Sequence, residues 1–104
     1  MALLEISVSP RGGQGVGISQ YVARALRVLK DSGLAHQTHA MGTVIEGDID
    51  ALFEIAQRMH AACFDPAGEE ILRVVTSIKI DDRRDKQATM QSKVDALAAR
   101  LNES

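Results

Sequence analysis

Leu4, Ile6 and Val8 alternate with Glu5, Ser7 and Ser9. This period of two is that of a half-buried strand, and Pro10 is expected to stop it. Residues 11–17, Arg-Gly-Gly-Gln-Gly-Val-Gly, read as a glycine-rich loop. From Ile18 the period changes. Val22, Ala25, Leu26 and Leu29 recur at helical spacing, with Ser19 as the expected cap and Ser32-Gly33 as the stop. Leu34 to Ala40 is a weaker strand, with His36 and Thr38 on one face and Gln37 and His39 on the other. After a Met41-Gly42 turn, Thr43 to Glu46 completes a hairpin. Asp48 heads a second helix whose buried stripe is Leu52, Ile55, Ala56, Met59 and Cys63. Leu72 to Ile80 is the strongest strand, with Leu72, Val74, Thr76, Ile78 and Ile80 facing one way and Arg73, Val75, Ser77 and Lys79 the other. A charge run, Asp81 to Lys86, precedes a last helix carrying Met90, Val94, Leu97 and Leu101.

The order β-α-β-β-α-β-α predicts an α+β, ferredoxin-like fold. A four-stranded antiparallel sheet carries two helices on one face, and a C-terminal helix is appended. One domain spanning residues 1–104 is expected. The bare sheet face should present Glu5, Ser7, Val75, Ser77 and Lys79, with some of Gln37, His39, Thr43 and Ile45. Such a face, rich in hydroxyls, serves either to pack two subunits or to line a ligand pocket, and composition alone favours the interface.

The chain has 104 residues, and 12 basic against 14 acidic side chains give a net charge of −2. There is no basic excess of the kind that binds nucleic acid. No window reaches the ~20 apolar residues of a membrane span, and the N-terminus lacks the pattern of a signal peptide. The single cysteine, Cys63, excludes a disulfide framework. The expectation is a cytoplasmic protein that touches neither membrane nor nucleic acid. The aromatic side chains are Tyr21, Phe53 and Phe64, without tryptophan. The core must therefore be aliphatic, burial between subunits would supplement it, and a ring-shaped ligand would meet aliphatic walls and hydroxyls.

Other candidate chemistry is weak. Gly13-Gln14-Gly15-Val16-Gly17 resembles the phosphate cradle of acylphosphatases. The arginine of that family's loop is absent, and the sole asparagine, Asn102, is near the C-terminus. An acylphosphatase-like hydrolase is therefore a minor alternative. His36 and His39 fall on opposite strand faces and His60 on a helix, so no metal site is expected. Cys63 reads as a buried thiol rather than a nucleophile. The Asp81–Lys86 run reads as an ion-pair network, with Arg83 and Arg84 as the alternative grip for an anion.

Three stretches carry a family resemblance: Glu5-Ile6-Ser7-Val8, Met41-Gly42-Thr43-Val44-Ile45-Glu46-Gly47-Asp48, and the run from Thr76 through Ser77, Lys79 and Asp81 to Lys86. Together they resemble the small thiamine-binding-protein family, in matching order over nearly the whole chain. The loop at residues 11–17 departs from the family pattern by its extra glycines. The resemblance implies sheet-to-sheet dimers paired into a tetramer. It also implies binding of thiamine or its hydroxymethylpyrimidine moiety, without catalysis and without a cofactor. Set beside it, Ser7, Thr43 and Ser77 are candidates to hydrogen-bond the aminopyrimidine. Glu5 or Glu46 would face the thiazolium cation, and Lys79 completes the candidate set. A structural or regulatory oligomer without ligand is the alternative from another class.

Overall fold

A computed structural model of the chain describes residues 1–12, 18–64, 68, 70–86 and 89–102. The elements are β1 (Ala2–Gly12), α1 (Ser19–Ser32), β2 (His36–His39), β3 (Gly42–Gly47), α2 (Ile49–Ala62), β4 (Ile71–Asp82) and α3 (Met90–Asn102). All strand pairs are antiparallel, in the order β2-β3-β1-β4. This is the α+β, ferredoxin-like arrangement that the element order predicts. The glycine-rich loop read at residues 13–17 lies outside the described residues.

One core forms between the sheet and two helices. Ala2, Leu4 and Ile6 of β1 and Ile45 of β3 meet Ala25 and Leu29 of α1, and Leu52, Ile55, Ala56, Met59 and Cys63 in and just after α2. Each large aliphatic side chain here contributes about 1.5–3 kcal/mol by leaving water. The α2 stripe is the one its spacing predicts. Gly33 ends α1 in the left-handed region at φ 77°, and its N–H bonds to the Lys30 carbonyl.

Four details differ from the sequence pattern. First, β1 continues through Pro10 to Gly12. Beyond Ile6 it pairs with β4 alone, so a residue without an N–H costs no ladder bond on the β3 side. Second, β2 covers only His36–His39 rather than Leu34–Ala40. Third, Tyr21, Ala25 and Leu29 are the buried stripe of α1, while Val22 and Leu26 are half-buried. Ile18, not Ser19, occupies the N-cap, without a side-chain bond. Fourth, no residue of α3 is buried, and Val94 and Leu97 are exposed.

Paired residues share a sheet face, so the register sorts the side chains. The open face carries rows of Leu3 with Glu46 and Asp81, Glu5 with Val44 and Lys79, Ser7 with Ser77, Ser9 with Val75, and Arg11 with Arg73. Leu4 with Ile45 and Ile80, and Ile6 with Thr43 and Ile78, turn toward the helices. Thr43 and Ile45 are thus corrected to the helix side, where both are buried. The reason is parity: Thr43 pairs with Ile6, which faces the core.

Candidate functional site

The β1–β3 ladder ends at Ile6 and Thr43. Where it ends, a cleft of about 190 Å³ opens. Ser7 and Val8 of β1 form one wall, Val22 and Leu26 of α1 and Met59 of α2 another, and the hairpin from Thr38 to Thr43 a third. Gly42 makes the tight floor possible: a Cβ there would lie 2.9 Å from the Ile6 carbonyl oxygen. Met41, 83% exposed, stands on the rim.

Polar groups converge on these aliphatic walls. The Thr38 and Thr43 hydroxyls are 3.2 Å apart. The His39 Nδ1 accepts the Met41 N–H at 3.3 Å. In the neutral ring the proton therefore sits on Nε2, which lies 3.9 Å from Glu5 Oε2. None of Tyr21, Phe53 and Phe64 lines the cleft. Its chemistry is that of a slot for one flat, polar-edged ring: apolar faces, hydroxyls that donate or accept, and a carboxylate beyond the imidazole.

The six candidate residues separate into three groups. Ser7 and Thr43 line the cleft. Ser77 is the cross-strand neighbour of Ser7, and Glu5 that of Lys79, on the open face. Glu5 and Lys79 share a shallow hollow of about 180 Å³ with Leu3, Val44, Asp81 and Lys93. Glu46 stands apart, because its Oε2 accepts the Met90 N–H at 3.0 Å and so fastens the start of α3. Sequence reasoning named His39 only among the possible open-face residues, and missed Thr38, Val22, Leu26 and Met59 as cleft residues. One signal was available. Tyr21, Ala25 and Leu29 recur every four residues and take the centre of the buried face, which leaves Val22 and Leu26 half-buried at its margin.

The charge run is a set of local ion pairs. Arg83 grips Asp85, with Nε 2.6 Å from Oδ1, and Arg84 pairs with Asp82 at 3.1 Å. Asp81 pairs with Lys93 of α3. The hydrogen bond and charge of Lys93 hold the Asp81 carboxyl below its ordinary value, and Arg83 does the same for Asp85. Burial pushes the Cys63 thiol up, and its Sγ faces the Met59 carbonyl at 3.4 Å. The His60 Nδ1 lies 2.6 Å from Thr76 Oγ1, bridging α2 and β4. Among the described residues no three His, Cys, Asp or Glu side chains group to hold a metal. No described helix is long and apolar enough to cross a membrane.

Residues 4–98 match the thiamine-binding protein family. The chain belongs to that family. A UPF0045 protein of Mycobacterium bovis is 43% identical over 94 residues, covering 88% of this chain and 86% of that one. A UPF0045 protein of Methanocaldococcus jannaschii is 39% identical over 93 residues, covering 89% and 88%. The crystal structure of that archaeal protein superposes with a TM-score of 0.80 at 37% identity, over 93% of this chain and 95% of that chain. A Bacillus cereus domain of unknown function gives a TM-score of 0.78 at 30% identity, over 89% and 86%. The family member described above thus shares its sheet and helix layer with solved relatives.

Proposed function

We propose that this protein binds thiamine or its hydroxymethylpyrimidine moiety without transforming it, in the cytoplasm and as a single domain. The pyrimidine ring occupies the hairpin cleft, at the edge of the open sheet face rather than on it. The observation that carries this reading is the lining itself: Val22, Leu26 and Met59 opposite Ser7, Thr38 and Thr43. A volume of about 190 Å³ is below the ~300–1,000 Å³ of clefts that enclose drug-sized molecules, so it suits one ring and leaves the second outside. Ser7 and Thr43 hydrogen-bond the aminopyrimidine. The thiazolium lies over Glu5, whose cross-strand neighbour is Lys79. Ser77 borders the same row. Glu46 holds α3 instead of ligand. The open faces of two subunits pack together and enclose the exposed ring. The family's name supports the ligand class.

Calorimetric titration tests this, with thiamine and with hydroxymethylpyrimidine as separate ligands. Saturable binding of both is expected, with most of the affinity retained by the single ring. No heat from either ligand at millimolar concentration overturns the proposal. Binding of thiamine without any binding of the pyrimidine overturns the assignment of the ring to the cleft.

A further inference from the structure

Along the open face the charges are sorted by row. At one end Leu3 lies beside Glu46 and Asp81. Glu5 then faces Lys79, Ser7 faces Ser77, Ser9 faces Val75, and at the far end Arg11 faces Arg73. The acids of this face are compensated: Glu5 by its opposite neighbour Lys79, Asp81 by Lys93, and Glu46 by the Met90 N–H. The two arginines are not. Both are exposed, and directly opposed residues hold their Cβ atoms ~4.5–5.5 Å apart. Among the described residues neither has an ion-pair partner. Glu70, shortly before Arg73 in the chain, accepts the Tyr21 hydroxyl at 2.8 Å instead. Like charges set directly opposite each other destabilise a sheet. Immediately beyond the pair the register shifts, with Gly12 opposite Ile71, so Leu72 has no cross-strand partner. Such bulges end the pairing and re-aim neighbouring side chains, and they are over-represented beside functional sites.

We infer that Arg11 and Arg73 clamp the phosphate group of a small phosphate monoester. Two guanidinium forks on one sheet face carry two positive charges and converge on one tetrahedral group. A monoester offers them three free oxygens and a charge of about −1.5 to −2 at neutral pH. Arginine meets phosphate two N–H bonds at a time. A carboxylate carries one charge and one such edge, which satisfies one arginine and leaves the other opposed. The phosphate thus removes a repulsion that the free protein contains, besides making bonds of its own. The next row, ~6.6 Å along the strands, is Ser9 with Val75, a half-buried hydroxyl beside an exposed apolar side chain. The body of the ester lies there, with its own hydroxyl groups on Ser9. The remaining rows limit the size of the ligand. Ser7 and Ser77 are uncharged, and beyond them stand Glu5, Glu46 and Asp81. A polyanion such as a nucleic acid would meet these carboxylates if it lay along the face. The inference stands independently of the thiamine reading, because thiamine carries no phosphate.

Calorimetric titration of the full-length protein at low ionic strength tests it, with inorganic phosphate, methyl phosphate and glycerol 3-phosphate as separate probes. Saturable binding of one phosphate group per chain is expected, with a Kd of about 1 mM or tighter. Glycerol 3-phosphate should bind roughly threefold or more tighter than methyl phosphate through its extra hydroxyls, and Ser9→Ala should remove that advantage. Arg11→Gln and Arg73→Gln should each weaken all three probes by about tenfold or more, the loss of a charge-assisted contact. Both side chains are exposed, so the variants retain the fold. Phosphate should raise the thermal midpoint of the parent and leave that of Arg73→Gln unmoved. Arg83→Gln, which removes a cation already gripped by Asp85, should bind as the parent does. No saturable binding of any probe at millimolar concentration overturns the inference. So does full affinity in both glutamine variants, or a loss in Arg83→Gln in place of theirs. Binding of inorganic phosphate with both esters excluded overturns the monoester as the ligand class.

Discussion

Replacing Thr43 by valine separates the stability of the hairpin from the chemistry of the cleft. Thr43 is 4% exposed, and its hydroxyl lies 3.2 Å from that of Thr38. Valine keeps the branched shape at Cβ and removes only the hydroxyl. Thr38 is exposed, so its hydroxyl turns to water once its partner is gone. The fold therefore loses one neutral hydrogen bond, about 0.5–1.5 kcal/mol, with part returned because no polar atom is left buried and unpaired. A change of unfolding free energy below about 1 kcal/mol is expected in urea titration. Binding should respond more strongly. A ring seated against Thr43 loses a partner inside a desolvated slot, at a cost of about 1–3 kcal/mol, or roughly 5- to 150-fold in Kd. Calorimetry with hydroxymethylpyrimidine measures it, and Thr43→Ser, which keeps the hydroxyl, should bind within a few-fold of the parent. Unchanged affinity in the valine variant would remove this hydroxyl from the site. A stability loss above about 2 kcal/mol would mean that the threonine pair is a structural bond of the hairpin.

Leu4→Ala empties a side chain that is 0% exposed, and should lower the unfolding free energy by about 2–5 kcal/mol in urea titration, a loss typical of buried leucines. Gly42→Ala puts a Cβ 2.9 Å from the Ile6 carbonyl oxygen. That neighbour is backbone and cannot step aside, so the hairpin must lift, with an expected loss of about 1–3 kcal/mol and weaker ligand binding in the same calorimetric assay. The Asp81 carboxyl is held low, first by the hydrogen bond from Lys93 and then by its charge. A folded-state value below the unfolded one stabilises above the ordinary carboxylate pKa of ~3.9. The anchoring of α3 should thus persist at neutral pH and fade as pH falls through the lowered value. Lys93→Met should move the Asp81 titration up toward that ordinary value, as read from the Asp81 carboxyl resonance in an NMR titration.

The fold was legible because its elements announce themselves by period. The α2 stripe of Leu52, Ile55, Ala56, Met59 and Cys63 is buried as its spacing requires, and the two faces of β4 divide as alternation predicts. Faces were harder than elements. Thr43 falls among open-face candidates until the register pairs it with Ile6, because a short hairpin strand shows no alternation of its own from which parity can be read. Glu46 looked available to a cation because its partner, the Met90 amide, is 44 residues away in the chain. No local pattern announces a contact of that range.

Pro10 shows why the cleft itself was hidden. A proline read locally ends a strand, and the shorter strand then matches β3 and leaves no step between them. Proline removes one donor, however, and that loss matters only where a neighbour would accept it. On the β3 side of β1 the ladder has already ended at Ile6, while β4 continues to pair as far as Gly12. Strand length here is set by the tertiary partner rather than by the residue. The unequal lengths do two things at once. They open the β3 flank of β1 at Ser7 and Val8, which makes a wall of the cleft. They also leave β4, at 12 residues, paired with β1 well beyond the end of β3. None of the chain's three Phe and Tyr rings lines this cleft, so its walls offer methyl and hydroxyl groups in place of stacking surfaces.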